Sequence, residues 1–250
     1  MTALLEVEQA RKRFGGVVAV DDVSLKVSAG TVTALIGSNG AGKSTLVNII
    51  SGVERLDQGA ITLAGEEISK LAPAERTRMG VARTFQVPRL VEELSVLDNV
   101  MLGREAGEAS VWWRSRKRER EHEATALQRL QSAGLGHLAQ RQVRTLGTGE
   151  RKFIELVRAL DEEPAVCLLD EPAVGLSMDE IEHLQTWISR LRSSGAAVLV
   201  IDHNLDFVQR LADFVYVMDV GRIVRSGSAD ELLGTREARG SLLGSARESV

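Results

Sequence analysis

The chain has 250 residues, 44% of them hydrophobic and 26% charged, ordinary proportions for a globular protein of one large domain or two intimate lobes. That composition excludes intrinsic disorder, collagen-like repeats and disulfide scaffolds, and the single cysteine fits a reducing compartment. With 31 Lys+Arg against 35 Asp+Glu the net charge is -4, so no basic nucleic-acid footprint exists at the level of the whole chain.

The N-terminal residues show no basic region followed by a long apolar core and do not read as a secretory signal. No apolar stretch approaches the ~20 residues that a spanning helix needs. Any membrane role is expected to be peripheral, through a partner. Residues 3–7, 17–27 and 31–36 are rich in Val, Ile, Leu and Thr, are broken by Gly15-Gly16 and Ala29-Gly30, and predict strands.

Directly after the third of these comes Gly37-Ser38-Asn39-Gly40-Ala41-Gly42-Lys43-Ser44, a full match to G-x-x-x-x-G-K-[ST]. It follows a strand and opens an apolar helix through Leu46, Val47, Ile49 and Ile50. Glycines let the backbone wrap closely around phosphate, and exposed N–H groups at a helix N-terminus favour its charge. Lys43 is expected to reach the β- and γ-phosphates and Ser44 to ligate Mg²⁺.

Residues 59–63 restart a strand. From about residue 97 to residue 160 the pattern is charged, Gln-rich and helical, with Leu127 and Leu130 one helical turn apart. Within it, Trp112-Trp113 precede the five basic residues Arg114, Arg116, Lys117, Arg118 and Arg120. Adjacent tryptophans cannot share one helix face. The segment reads either as a solvated basic helix with one Trp packed on its own lobe, or as a docking surface for anionic lipid or a protein partner.

Residues 166–169 form a buried-strand run that ends in Asp170-Glu171-Pro172. A strand ending in acid points carboxylates at the edge of the sheet where ligands bind in α/β folds. Asp170 is expected to hold the Mg²⁺ shell and Glu171 to polarise an attacking water. Cys167 reads as a small buried filler. Ile181, Leu184, Ile188 and Leu191 form an apolar helix face, and residues 196–201 and 214–218 are further strands. The order implies an α/β fold with a parallel sheet covered on both faces. The tail after Gly234 is small and polar and is expected to be loosely packed.

These motifs, in this order, make the chain resemble the ATP-binding subunit of an ABC transporter from end to end. Gln86, in Arg83-Thr84-Phe85-Gln86, looks like the Q-loop glutamine, and His203, in Ile201-Asp202-His203-Asn204, like the switch histidine. Leu146-Gly147-Thr148-Gly149-Glu150 sits where the signature L-S-G-G-Q opens a helix, and Gly175-Leu176-Ser177 sits at the D-loop. Phe14 matches the aromatic that stacks on adenine, a contact of ~1–3 kcal/mol in comparable base–aromatic pairs.

The resemblance implies a P-loop ABC ATPase fold with a RecA-like parallel-sheet core, an N-terminal antiparallel β subdomain and a helical subdomain. It implies one ATPase domain over 1–250: the β subdomain and phosphate-loop part of the core in 1–86, the helical signature subdomain in 87–160, the rest of the core in 161–219, and a C-terminal hairpin and tail in 220–250. Hydrolysis would fall to Glu171, His203 and Gln86. ATP would be held by Phe14, by Gly37, Ser38, Asn39, Gly40, Ala41, Gly42, Lys43, Ser44 and Thr45, and, across a head-to-tail dimer, by Gly147, Thr148 and Gly149. Mg²⁺ would meet Ser44, Gln86 and Asp170.

The implied partners are transmembrane permease subunits, a second ATPase subunit forming a heterodimer or a homodimer, and, indirectly, a periplasmic or extracellular solute-binding protein. No nucleic acid is expected. The implied place is the cytoplasmic face of the cell membrane. Within the family, residues 81–90 and the insertion at 106–123 resemble importers of branched-chain amino acids, whose relatives carry urea, short amides or aromatic acids. Lipopolysaccharide-export ATPases lack the insertion, although Asp202-His203-Asn204 leans toward them.

The chain departs from the family in its signature. Gly147 stands for Ser, Thr148 for Gly, Glu150 for Gln, and Ser177 for the D-loop Asp. The catalytic half that this chain supplies looks intact, and the half it lends to a partner looks weakened. Three other readings fit less well. A soluble ABC-type ATPase serving ribosomes or DNA usually has two ATPase halves or long coiled coils; another P-loop enzyme, a kinase or GTPase, leaves Gln86 and His203 unexplained, and the guanine-reading N-K-x-D motif is missing; a scaffold without turnover leaves Glu171 unexplained.

Overall fold

The computed structural model describes residues 3–84, 90–105, 116–159, 164–235 and 238–239. Its strands are β1 (Ala3–Phe14), β2 (Val17–Ser28), β3 (Val32–Gly37), β4 (Gln58–Leu63), β5 (Glu66–Glu67), β6 (Val81–Arg83), β7 (Val166–Asp170), β8 (Ala197–Ile201), β9 (Phe214–Asp219) and β10 (Arg222–Ser228). Its helices are α1 (Lys43–Ile50), α2 (Pro73–Arg78), α3 (Val96–Glu105), α4 (Arg116–Ser132), α5 (Thr148–Ala159), α6 (Met178–Ser193), α7 (Leu205–Leu211) and α8 (Ala229–Leu233).

Two sheets form. One is antiparallel, in the order β2-β1-β4-β5; the other runs β10-β9-β3-β8-β7-β6. In the second, β9, β3, β8, β7 and β6 are all parallel, and only β10 at the edge runs the other way. Gly15-Gly16 joins β1 to β2, with Phe14 opposite Val17. β1 runs seven residues beyond the apolar run that predicted it. Its second half carries Glu8, Arg11, Lys12 and Arg13, and is held in the sheet by bulged pairing to β2 and β4 rather than by hydrophobic alternation.

The period-2 rule sorts the central strands onto two faces. Leu35, Val166, Leu168, Ala197, Leu199 and Ile201 face α1 and the antiparallel sheet. Val32, Ala34, Ile36, Cys167, Leu169, Val198 and Val200 face the layer of α6 and α7, where Leu184, Ile188, Phe207 and Val208 are buried. A third cluster joins Val96, Val100, Leu130, Ile154 and Val157 from α3, α4 and α5, with Leu138 from the 3-10 turn at Gly136–Leu138. α5 is the seam between lobes, because Leu156 packs on the sheet while Ile154 and Val157 pack on the helical lobe. Leu127 and Leu130 both serve that lobe. Trp112, Trp113 and the basic residues up to Arg114 lie outside the described residues, as do Gln86, Leu160 and residues 240–250 of the tail.

One buried cation secures the helix that the phosphate loop opens. Arg76, 2% exposed, donates to Ile49 O at 2.6 Å and Ile50 O at 2.8 Å, the last carbonyls of α1, and to Ser69 O at 2.9 Å and Leu71 O at 3.1 Å. Burial lowers its pKa, yet arginine stays charged in proteins. Arg76→Met is expected to destabilise the chain by ~3 kcal/mol or more, since each buried acceptor left without a donor costs ~1–3 kcal/mol. A thermal melt should show Tm falling by roughly 6–12 °C, at ~2–4 °C per kcal/mol for a chain of this size.

Candidate active site

The parallel strands deliver their C-terminal ends to one edge. Leu35, Ile201 and Asp170 lie in one row across β3, β8 and β7, so the residues that follow each of them emerge together. Gly37 and the phosphate loop follow β3, Glu171 follows β7, and Asp202 and His203 follow β8.

The loop is shaped by backbone contacts that only glycine permits. At Gly42 (φ 101°) a Cβ would stand 2.1 Å from Ala19 O, and at Gly37 it would stand 2.0 Å from Met218 O. No side chain caps the start of α1, so its first N–H groups face the loop's interior without a competing carboxylate or hydroxyl. Lys43 is 8% exposed and folds back, its Nζ donating to Gly37 O and Ser38 O, each at 2.8 Å. Burial lowers its pKa, and the nearby Glu171 and Asp170 carboxylates oppose that shift. Ser38 Oγ donates to Asp219 Oδ1 at 3.1 Å. This is a cradle with a cation inside it, the donor set that a polyphosphate requires.

Asp170 is buried at 6% exposure, with Arg83 Nη2 at 3.5 Å. Burial raises its pKa most, Arg83 pulls it down, and Glu171 pushes it up again. Arg83 also donates to Asn48 Oδ1 at 2.7 Å and Ser51 Oγ at 2.9 Å, so one guanidinium joins α1, β6 and the end of β7. Glu171 has φ 49°, a left-handed conformation that costs a non-glycine residue ~1–3 kcal/mol. Its N–H donates to Ile201 O at 2.8 Å. The exposed His203 ring places Nδ1 3.9 Å from Glu171 Oε1.

The remaining expected residues lie in two other places. Phe14 ends β1, 46% exposed, with Lys12 Nζ 5.2 Å from its ring centroid. Gly147, Thr148 and Gly149 open α5, whose first turn packs on residues 175–180. A Cβ at Gly149 would overlap Glu180 Oε1, and one at Gly175 would meet Thr148 Cγ2 at 3.8 Å. Glu150 Oε2 accepts the Gly147 N–H at 2.9 Å. Ser177, at the D-loop position, is the N-cap of α6 and forms a capping box with Glu180: Ser177 N donates to Glu180 Oε2 at 2.7 Å. That bond, with the one from the Ser177 hydroxyl, lowers the Glu180 pKa. The S-x-x-E pattern was readable in the sequence. The buried contacts of Arg83, Lys152 and Asp202 were not.

Residues 20–174 match the family model described as ABC transporter. A probable branched-chain amino acid transport ATP-binding protein, LivG, of Methanocaldococcus jannaschii is 35% identical over 233 residues, 91% of this chain and 91% of its own. A ribose import ATP-binding protein of Rubrobacter xylanophilus is 39% identical over 93% of this chain but only 46% of its own. Among solved structures, the ADP conformation of an ATP-binding cassette of an ABC transporter superposes with a TM-score of 0.86 at 32% identity, over 98% of this chain and 100% of that one.

Proposed function

The chain belongs to the ABC transporter ATP-binding family, whose members hydrolyse ATP, and from that premise we propose that it powers the import of branched-chain amino acids or a related small polar substrate. The observation that carries the catalytic part is the convergence of Lys43, Asp170, Glu171 and His203 at one sheet edge, with Glu171 and His203 3.9 Å apart. The substrate class rests on the Methanocaldococcus relative, which matches along nearly its whole length, whereas the ribose relative is matched over less than half of its own.

In this reading the adenine lies against Phe14 and the phosphates lie in the 37–45 loop, over the N-terminus of α1. Lys43 leaves the carbonyls of Gly37 and Ser38 for the β- and γ-phosphates. The Ser44 hydroxyl and the Asp170 carboxylate, hard oxygen donors, fit Mg²⁺, with Gln86 as a further ligand; bound there, the ion supplies charge neutralisation on the phosphates. Glu171 takes a proton from the attacking water, and His203 orients it. Residues 147–149 serve a nucleotide held by a second ATPase subunit. Residues 87–160 act as the lobe that answers the nucleotide, and 1–86 with 161–219 as the lobe that binds it.

Among the described residues no helix is long and apolar enough to cross a membrane, so transport requires permease subunits, and we place the chain at the cytoplasmic face of the membrane beside them. Co-expression with a candidate multi-span permease tests this. The expected result is a co-purifying complex whose ATPase rises with leucine, isoleucine or valine and their binding protein in proteoliposomes. Stimulation by ribose alone, or by a lipopolysaccharide, would overturn the substrate class; failure to bind any multi-span protein would overturn the transport role.

A further inference from the structure

We propose that Lys152 and Asp202 are positioning residues for hydrolysis, a cation and an anion that grip the stretch 171–174 from two sides and set the Glu171 carboxylate beside His203. The proposal rests on the reading of Glu171 as the base and adds the groups that hold it.

The stretch needs holding. It leaves β7 after Asp170, begins with the left-handed backbone of Glu171 and contains Pro172, which has no N–H to donate. Short, strained backbone of this kind persists only where its surroundings over-determine it.

Lys152 comes from α5 and is 9% exposed. Its Nζ donates to Glu171 O at 3.1 Å, to Pro172 O at 3.4 Å and to Val174 O. An ammonium has three N–H donors, and all three go to carbonyls of this one stretch. Such a group dictates curvature: the three carbonyls must turn toward one point. On the other side Asp202, 1% exposed, accepts the Ala173 N–H on Oδ2 at 3.2 Å. Its second oxygen accepts the Asn204 N–H at 2.9 Å. One buried carboxylate therefore joins the loop that carries Glu171 to the loop that carries His203.

The Asp202 carboxylate also supports the Lys152 ammonium. Burial lowers the Lys152 pKa, and the Asp202 charge is the largest influence opposing that, ahead of Glu155 and Glu171. Removing Asp202 leaves the Lys152 ammonium buried with its main counter-charge gone, which is costly. The bonds of Lys152 and Asp202 go to the backbone of the residues around Glu171 and His203, so their effect is on where those side chains stand. A group displaced by about 1 Å from its reactive position costs on the order of 10²-fold in rate.

The test uses the full chain in its assembled transporter. Lys152→Met keeps the stem and loses the charge and donors; Asp202→Asn keeps the shape and loses the charge. Each is expected to lower kcat ~10- to 100-fold while KM for ATP stays within about threefold, since the phosphate cradle is untouched. Lys152→Arg, which restores charge and several donors, should recover most of the rate. The double variant should be little worse than the poorer single one, as for groups that act as a unit. Amide exchange at Ala173 and Asn204 should accelerate in Asp202→Asn.

A native kcat in Lys152→Met or Asp202→Asn overturns the proposal. So does a pattern in which Tm falls, Lys152→Arg restores Tm, and kcat is not restored with it. If Lys152→Met does not fold, Lys152→Arg and Asp202→Asn carry the same comparison. Glu171→Gln, run in the same preparation, separates the two levels. If it turns over normally, the base assignment has failed; if it is inactive while Lys152→Met is native, only the positioning role has failed.

Discussion

Glu171→Gln is expected to bind ATP about as well as the native chain and to hydrolyse it at least ~10²-fold more slowly, the scale of a lost acid–base group. The amide matches the carboxylate in size, so the left-handed backbone at 171, its N–H bond to Ile201 O and the Lys152 contacts all persist. What disappears is a group able to take a proton, 3.9 Å from the His203 ring. Lys43, Ser44 and the glycines of the loop are unaltered, which is why affinity survives. ATP that is bound but not cleaved should hold the ATPase pair closed. Phosphate release and nucleotide titration measure the two halves of this prediction. A native rate in the assembled transporter would mean that another group takes the proton.

In a heterodimeric transporter, the composite site built from this chain's Lys43, Asp170, Glu171 and His203 is expected to carry most of the hydrolysis. On the proposed reading the opposite site borrows Gly147, Thr148 and Gly149, and there the serine hydroxyl of the family signature is missing. A hydrogen bond to a charged phosphate is worth ~1.5–3 kcal/mol, roughly ten- to over a hundred-fold in ATP-driven closure.

The structure adds a second reason. Gly147 N–H is already committed to Glu150 Oε2 at 2.9 Å, and Arg141 Nη1 lies 3.7 Å from the other oxygen. An acid there suits the α5 N-terminus, but on the proposed reading it sets negative charge beside a partner's phosphate. Gly147→Ser should raise turnover or tighten ATP-dependent dimerisation, and Glu150→Gln should do so by relieving the charge. Disabling one catalytic glutamate at a time and measuring ATPase decides the matter. If loss of Glu171 spares most activity while loss of the partner's glutamate abolishes it, the asymmetry is wrong. A homodimer removes its basis, because both sites would share the altered signature.

The parts of this protein that were legible in the sequence are those whose meaning is local. The 37–44 loop is contiguous, and the run at 166–171 announces both a buried strand and its acidic end. Asp170 and Glu171 could therefore be singled out as candidates before any geometry. β6 could not, because Val81–Arg83 is three residues long and is a strand only through its pairing with β7. The second half of β1 was hidden by its charged residues. Arg83 reads as one more surface arginine until β6 sets it against Asp170 and α1. Lys152 and Asp202 were opaque for the same reason: their partners lie about 20 and 30 positions along the chain, a separation at which residue type carries no signal. The sequence could single out candidate reacting groups but not the buried charges that contact the backbone around them.

Cys167 is the single cysteine of the chain. It sits fully buried in β7, opposite Ala82 on one side and Val198 on the other, and burial pushes its thiol pKa up to about 12. The thiolate is the reactive form, so a maleimide added to the folded protein should find nothing to modify. A cysteine introduced at any exposed position then carries a fluorophore or spin label alone, without first deleting a native thiol. The native thiol is itself a probe of another kind. It becomes reactive only when β6, β7 and β8 part, so its rate of capture reports how often the middle of the sheet opens.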